Sequence, residues 1–206
     1  MKYEIKPVLC GLYQENAYLL CPEGTGDALL IDPGDDLNGL KRALEASGRT
    51  LRAILLTHGH FDHIEAVAEL HARTGAHIHI HPRDADMLIS LERSLGRPGY
   101  EHVQVAADRP LDILESAVLP VCGLDIEVMY TPGHTAGSVC YYLPGEGVLI
   151  SGDTLFYEGF GRTDLPTGSA VQIRRSLRRL YTLPGETRVL AGHGPETTIA
   201  HEVSGR

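Results

Sequence analysis

The chain has 206 residues, of which 43% are hydrophobic and 22% are charged, and its formal net charge is −9. This length and apolar content are sufficient for a folded core, and the charge content is too low for a disordered chain. The acidic balance argues against a nucleic-acid partner, because neutralising phosphates requires clustered Lys and Arg. One basic cluster, Arg174, Arg175, Arg178 and Arg179, falls on a predicted helix and is interpreted as a solvated face.

The four cysteines are scattered along the chain with no Cys-x-x-Cys pair, which is typical of reduced thiols. The first residues, Met1 to Lys6, contain no apolar stretch of signal-peptide length, and no later run is long enough to span a membrane. We therefore expect a soluble, cytoplasmic protein without a membrane partner. Nothing in the sequence selects an oligomeric state.

Short apolar runs alternate with helical patterns along the whole chain, without a linker or low-complexity tract. In the first half, the patterns predict strands at 3–9, 16–21, 28–32, 52–57 and 77–80, and helices at 36–47, 64–74 and 83–93. In the second half, they predict strands at 111–114, 124–130, 138–143, 147–151 and 187–191, and helices at 169–181 and 195–201. Mixed strands and helices of this kind indicate a single α/β layered domain over 1–206.

Candidate metal ligands lie where predicted strands end. His58, His60, Asp62 and His63 follow strand 52–57 within six residues, and three further residues, His134, Asp153 and His193, follow strands 124–130, 147–151 and 187–191. Strand ends that meet at one edge of a layered fold bring distant residues into one site. Imidazole and carboxylate ligands suit zinc, iron or manganese, and seven of them are too many for one tetrahedral ion. The set therefore predicts two adjacent ions that share a bridge.

The pattern T-H-x-H-x-D-H at 57–63, together with Pro132-Gly133-His134-Thr135, Gly152-Asp153-Thr154 and Gly192-His193-Gly194, resembles the metallo-β-lactamase superfamily. The segments 161–166 and 192–197 resemble its glyoxalase II-like (hydroxyacylglutathione hydrolase-like) group. This resemblance implies an αββα sandwich, with two mixed β-sheets flanked by helices and metals at one edge. It also implies that one metal is bound by His58, His60 and His134, a second by Asp62, His63 and His193, and that Asp153 bridges both.

Two departures from the glyoxalase II-like pattern stand out. Glyoxalase II proteins carry a C-terminal helical region that contacts glutathione, whereas only a short segment follows His193 here. We therefore expect no C-terminal glutathione-binding helical domain. Gly59 occupies a position that is often a third His in this group, and we expect it to affect packing rather than ligation.

The expected chemistry follows from the metals. Two divalent ions, expected to be zinc with iron or manganese as alternatives, would lower the pKa of water from about 15.7 to about 7 and supply a metal-bound hydroxide. Asp62 is predicted to act in catalysis by accepting a hydrogen bond from that hydroxide. A thiolate with a parent pKa of about 8.5 leaves without a proton, so a small acyl thioester is the expected substrate. Tyr157 is a candidate acid or pocket wall, and Arg162 either contacts substrate or pairs with Asp164.

Four other interpretations remain open at this point. A mononuclear iron persulfide dioxygenase, from a related group, would retain the positions of His58, His60, His134 and Asp153. A lactonase or β-lactamase would need Tyr157 as an acid. A metal-stabilised binding module would be expected to have lost a ligand, and an RNA-processing role is weakened by the net charge of −9.

Overall fold

The computed structural model describes residues 3–96 and 105–204. In chain order, its first half contains β1 (Tyr3–Cys10), β2 (Glu15–Pro22), β3 (Asp27–Ile31), α1 (Leu37–Ser47), β4 (Thr50–Leu55), α2 (Phe61–Ile64), α3 (Val67–Thr74), β5 (His77–Ile80) and a 3-10 helix (Pro82–Ile89). The second half contains β6 (Arg109–Pro110), β7 (Ser116–Val121), β8 (Leu124–Tyr130), β9 (Val139–Leu143), β10 (Val148–Gly152), α4 (Ala170–Leu180), β11 (Arg188–Ala191), β12 (Thr197–Thr198) and α5 (Ile199–Ser204). None of the described helices has the length and apolar character of a membrane span.

The described strands form two mixed sheets. The first has the order β1-β2-β3-β4-β5-β6, and the second has the order β12-β11-β10-β9-β8-β7. Strands β3 to β6 are parallel neighbours in the first sheet, and β10 and β11 are parallel in the second, whereas the other neighbours are antiparallel. The predicted pair of mixed sheets is confirmed.

Alternating side chains of the strands build the layers. In β2, Leu19 packs in a cluster with Leu40 of α1 and Leu70 of α3, whereas the neighbouring residue Leu20 packs with Ile126 of the second sheet. This period of two is what a strand covered on both faces requires. On the far side, α4 and α5 pack against the second sheet through a third apolar cluster. The order of layers is therefore helix, sheet, sheet, helix, as predicted.

Side-chain caps define where the two longest helices begin. The carboxylate of Asp36 accepts a hydrogen bond from Gly39 N at 2.8 Å, and the hydroxyl of Ser169 accepts one from Gln172 N at 3.3 Å. Such caps satisfy backbone N–H groups that have no partner inside the helix. At the other end of α1, Gly48 takes a positive φ of 63°, which closes the helix.

Four predicted elements differ from the structure, and the six-residue strand β7 was not predicted. The strand predicted at 111–114 is wrong: Leu111 is buried between the sheets, but pairing with β5 ends at Pro110. Strand β7 was not predicted, because its outward-facing residues are largely exposed and it lies at a sheet edge. The helix predicted at 83–93 is a 3-10 helix that ends at Ile89. The helix predicted at 195–201 starts only at Ile199, after β12, and the one predicted at 64–74 is divided between α2 and α3.

Candidate metal centre

The segment that follows β4, a short loop and helix α2, carries four of the predicted ligands. His58 and His60 precede α2, and Asp62 and His63 lie within it. His58 and His63 are fully buried, and His60 is 5% exposed. A short helix directly after a parallel strand turns these side chains back over the strand end, so that one short segment supplies ligands to two neighbouring positions.

The remaining predicted ligands come from the second sheet. His134 lies in the turn between β8 and β9, Asp153 follows β10, and His193 follows β11. Possible ligand atoms of His58, His60 and His134 lie within 4.8 Å of one another, and those of Asp62, His63 and His193 form a second such group. The structure therefore brings together all seven residues that the sequence predicted.

Asp153 lies between the two groups. Its Oδ2 is 3.5 Å from His134 Nε2 in the first group, and its Oδ1 is 3.3 Å from His63 Nε2 in the second. Each carboxylate oxygen thus faces a different group of ligands. A carboxylate can bind two cations in this way, whereas a neutral imidazole offers one lone pair.

Unsatisfied polar atoms test whether this cluster fits a cation. His58 Nε2 and Asp153 Oδ1 are buried and have no hydrogen-bond partner. His60 Nδ1 and His134 Nε2 face each other at 2.8 Å, two nitrogen atoms that can both point lone pairs at one centre. Buried polar atoms of native proteins normally have partners. Nitrogen and oxygen atoms with free lone pairs that converge in this way are the ligand atoms that divalent first-row metal ions bind.

Electrostatic effects in the cluster agree with this fit. Burial lowers the pKa of His60 to about 3, so that its imidazole is neutral, the state that binds a metal. Burial would also lower the pKa of His63, but the carboxylates of Asp153 and Asp62 raise it well above its usual range. The same site that keeps His60 neutral therefore favours a positive charge beside its carboxylates, which is what a divalent cation supplies.

The second ring nitrogen of most ligand histidines is held by a residue that is not itself a predicted ligand. His58 Nδ1 lies 3.0 Å from Thr57 Oγ1, His134 Nδ1 lies 2.8 Å from the Arg162 carbonyl, and His193 Nδ1 lies 3.1 Å from the Tyr13 carbonyl. Contacts of this kind set the orientation and tautomer of ligand imidazoles. The ring positions thus depend on residues that are not themselves ligands, and His193 depends on a connection that contains no ligand, the one between β1 and β2.

Asp32 supports the centre and was not predicted. It follows β3 and is buried, and its carboxylate accepts hydrogen bonds from Thr57 N at 2.7 Å and Thr57 Oγ1 at 2.5 Å. Its Oδ2 also lies 3.1 Å from His63 Nδ1. Asp32 lies near enough to His58 and His63 to count as a ligand, but its oxygens already have these three donors. The signal that could have identified it is the one used for the ligands, a carboxylate at a strand end.

A second buried carboxylate, Asp84, ties two ligand loops together. Its Oδ2 accepts a hydrogen bond from Thr135 Oγ1 at 2.6 Å, and its Oδ1 accepts one from Gly137 N at 2.8 Å. Burial raises the pKa of Asp84 to about 6, although hydrogen bonds from Thr135, Gly137 and the backbone of Gly59 act to lower it. Gly59 and Thr135 neighbour ligands of the first group, so Asp84 connects the loops that carry them.

Two positions that adjoin ligands must be glycine because other residues approach them closely. A Cβ on Gly192 would lie 2.5 Å from Asp153 Oδ1 and 2.7 Å from His63 Cε1. A Cβ on Gly59 would lie 2.5 Å from Met87 Cβ, so this position cannot accept the His that related sequences often carry without displacing the 3-10 helix. The effect of Gly59 is thus on packing, since it lies against Met87 rather than among the ligands.

A cavity of about 580 Å³ opens onto the ligands. His60, Asp62, His134, Asp153 and His193 form its polar floor, and its walls are mostly apolar, made by Tyr13, Phe61, Leu95, Phe156 and Leu165. Sequence reasoning missed these walls, because they come from four separate segments.

The two predicted substrate contacts have different surroundings. The ring of Tyr157 stacks on His201 with centroids 5.0 Å apart, and Tyr157 is not among the described residues that line the cavity. Arg162 does line the cavity, but its guanidinium donates to both oxygens of Asp164, at 2.8 and 2.7 Å. Tyr157 is therefore badly placed to donate a proton in the cavity, and the alternative in which Arg162 pairs with Asp164 is the one that the structure contains.

Fold and site agree with a comparison against protein families. The model of the metallo-beta-lactamase superfamily matches residues 10–193. The chain therefore belongs to the metallo-β-lactamase superfamily, and by class it is a metal-binding hydrolase.

Two relatives cover nearly the whole chain. The protein is 37% identical over 205 residues to "Probable metallo-hydrolase YqgX" of Bacillus subtilis, with 98% of this chain and 94% of YqgX covered. It is 32% identical over 204 residues to the hydroxyacylglutathione hydrolase GloC of Haemophilus influenzae, with 98% of this chain and 95% of GloC covered. Both relatives are consistent with the glyoxalase II-like group.

Solved structures show the same architecture. The BLEG-1 B3 metallo-beta-lactamase has a TM-score of 0.90 at 36% identity, with 98% of this chain and 97% of BLEG-1 covered. TTHA1623, solved in a di-iron-bound form, has a TM-score of 0.81 at 38% identity, with 96% of both chains covered. ETHE1 from Myxococcus xanthus has a TM-score of 0.77 at 31% identity, with 97% of this chain and 81% of ETHE1 covered.

Proposed function

We propose that this protein is a dinuclear metallohydrolase that cleaves a small acyl thioester. The observation that carries the proposal is the position of Asp153 between two complete groups of ligands, one carboxylate oxygen facing each. In this proposal the first ion is held by His58, His60 and His134, the second by Asp62, His63 and His193, and Asp153 bridges them.

Bound at these residues, two divalent ions would lower the pKa of a water molecule and stabilise negative charge on a carbonyl oxygen. Zinc is the metal that we propose, with iron and manganese as alternatives, because imidazole and carboxylate ligands suit all three. The di-iron-bound form of TTHA1623 is the finding that keeps iron among them.

Asp62 is the proposed catalytic carboxylate. It lines the cavity, and its Oδ2 lies 3.4 Å from His193 Nε2. Burial would raise the pKa of Asp62, but His63 and His193 hold it below its usual range. The carboxylate is therefore ionised at neutral pH and can accept a hydrogen bond from the attacking water, which orients a lone pair of that water toward the substrate carbonyl.

The cavity favours a substrate with a good leaving group. A thiolate can leave without a proton, whereas an alkoxide or an amine needs a general acid. Tyr157, the acid that the lactonase alternative requires, stacks on His201 outside the described cavity lining. The apolar walls, including Phe61, Phe156 and Leu165, suit a small acyl group. Similarity to GloC supports a thioester of this kind.

The experiment is a hydrolysis assay with metal-loaded protein on S-lactoylglutathione and on the corresponding oxygen ester. We expect metal-dependent thioester cleavage and much slower cleavage of the oxygen ester. Asp62→Asn should lose the activity, whereas Tyr157→Phe, which changes a residue outside the cavity lining, should keep it. If no thioester in a panel of acyl groups and thiols is cleaved, the proposal fails.

A parallel measurement separates hydrolase from dioxygenase. Elemental analysis of protein purified without added metal should give close to two ions per chain, because both ligand groups are complete. A single iron per chain, together with oxygen uptake on glutathione persulfide, would instead establish the mononuclear dioxygenase.

A further inference from the structure

A second pocket, of about 380 Å³, lies between α4, the end of β8 and the 3-10 helix. Its described lining shares no residue with the cavity over the metal ligands. It contains part of the basic cluster that the sequence interpretation assigned to a solvated face. Arg175 and Arg179, one helical turn apart on α4, both line it, and Arg83 of the 3-10 helix faces them.

The charge of this pocket is opposite to that of the protein. Three guanidinium groups line it against one carboxylate, that of Glu115, although the chain has a net charge of −9. Within residues 3–96 and 105–204, no salt bridge involves Arg83, Arg175 or Arg179. Five of the described arginines outside the pocket, such as Arg188 with Glu196, do pair with a carboxylate. An excess of unneutralised cations around a concave site favours an anionic ligand.

Two of the three arginines are held in place without being neutralised. Arg179 Nη1 donates to the Glu115 carbonyl at 2.8 Å and to the Tyr130 carbonyl at 3.3 Å. The Cζ atom of Arg83 lies 5.9 Å from the centroid of the Tyr130 ring, which itself stacks on His81. Carbonyl and ring contacts fix a guanidinium but leave its charge and several of its five donors available.

The rest of the lining is suited to the body of an organic molecule. Leu114 is 81% exposed, a large apolar side chain left at the rim, and Pro132 and the Tyr130 ring continue the apolar wall. Gln172 adds a neutral polar group. The guanidinium fork binds phosphate and carboxylate oxygens in pairs. Three guanidinium groups match a ligand with two negative charges better than a ligand with one negative charge.

We propose that this pocket is a binding site for a small organic dianion, a phosphate monoester or a dicarboxylate, separate from the hydrolytic centre. The arginines bind the charged group, and the apolar wall of Leu114, Pro132 and Tyr130 receives the organic part. The proposal does not depend on which substrate the metal centre cleaves.

The test is titration calorimetry of the metal-loaded protein with phenyl phosphate, inorganic phosphate and succinate at low ionic strength. We expect phenyl phosphate to bind more tightly than inorganic phosphate, because only the former has a group for the apolar wall. Tighter binding of phenyl phosphate than of succinate identifies a phosphate monoester, and the reverse order identifies a dicarboxylate. No saturable binding of any of the three would overturn the proposal.

A matched pair of variants locates the site. Arg83→Gln with Arg175→Gln removes two charges from the pocket, whereas Arg174→Gln with Arg178→Gln removes two exposed charges from the same helix outside it. Each lost charge-assisted contact should weaken binding about tenfold, hence about 100-fold for the pocket pair and less than about threefold for the control pair. Equal weakening of binding in both double variants would indicate a long-range charge effect. Unchanged binding in the pocket variant would mean that the anion binds elsewhere, such as at the metals. Either result refutes the proposal. Urea midpoints of both pairs verify folding.

Discussion

Replacing Asp32 with Asn should remove metal from the second group of ligands more than from the first. The Asp32 carboxylate accepts hydrogen bonds from Thr57 N and Thr57 Oγ1 and lies 3.1 Å from His63 Nδ1. An Asn side chain has one oxygen and one NH₂ group, so one of these accepting positions becomes a donor. If the NH₂ faces His63, then Nδ1 must accept the hydrogen bond and the ring proton moves to Nε2. That nitrogen is the one 3.3 Å from Asp153 Oδ1.

The size of the effect follows from this change of tautomer. A protonated Nε2 cannot bind a metal, and changes to residues that orient ligand imidazoles cost about 10–100-fold in metal affinity. The lost acceptor also leaves a buried donor unsatisfied, which costs about 1–3 kcal/mol in the free energy of unfolding. The first group should be less affected, because His134 is oriented by the Arg162 carbonyl and because Asp32 acts on His58 indirectly, through the Thr57 hydroxyl.

The assay is competitive metal titration with a chromophoric chelator, read as two dissociation constants per chain. The expected result for Asp32→Asn is one constant weakened about 10–100-fold and the other within about threefold of the wild type. Asp35→Asn, a change of the same chemistry at an exposed position in the same loop, is the control and should leave both constants unchanged. Two unchanged constants in Asp32→Asn would refute the orientation of His63 by Asp32.

Three further outcomes are expected. The pKa of Asp84 is raised to about 6 in the folded protein from about 3.9 in the unfolded chain, so its contribution to stability is complete below about pH 3.9 and is lost as pH rises through about 6. Urea unfolding of chelator-treated protein at pH 5 and 7.5 should therefore show Asp84→Asn gaining about 1.4 kcal/mol relative to wild type, because only about one pH unit of this interval lies below the folded pKa. A pH-independent difference would contradict this. Gly192→Ala should lower metal content, because its Cβ would lie 2.5 Å from Asp153 Oδ1, whereas Gly26→Ala, with no atom within 4 Å of the added Cβ, should not. Metal removal by a chelator should lower the melting temperature reversibly, by the equivalent of about 4 kcal/mol per ion at a metal concentration of a thousand dissociation constants; an unchanged melting temperature would argue against bound metal.

Positions relative to strand ends were the most informative part of the sequence. Residues that end buried strands of a mixed sheet meet at one edge, so the spacing of apolar runs alone was enough to expect His58, His134, Asp153 and His193 at one site. Asp32 obeys the same rule and ends the strand predicted at 28–32, but it is followed by Pro33 and Gly34 and resembles an ordinary turn residue. Its contact with His63, 31 positions away, exists only after the two strands have paired.

Other features could not be predicted, because they depend on packing between elements distant in the sequence. Asp84 is charged and lies in a short 3-10 helix, and nothing local indicates that it is fully buried against Thr135 and Gly137. The same holds for the arginines of α4. Their spacing is typical of a solvated face, and Arg175 and Arg179 line a pocket only because Arg83 and Leu114 are brought opposite them.

The support of the ligand histidines suggests how the metal centre and the fold depend on each other. His58, His63, His134 and His193 are each oriented by a residue that is not among the predicted ligands, and these four contacts come from four different loops. Asn16 adds a fifth connection, because its backbone N–H donates to the Gly192 carbonyl at 2.7 Å and joins the first sheet to the loop that carries His193. No one loop holds a complete group of ligands, so the geometry exists only when both sheets are packed. Metal binding should therefore be linked to folding of the whole sandwich rather than to one segment, and ions bound at this edge should stabilise the packing of one sheet against the other.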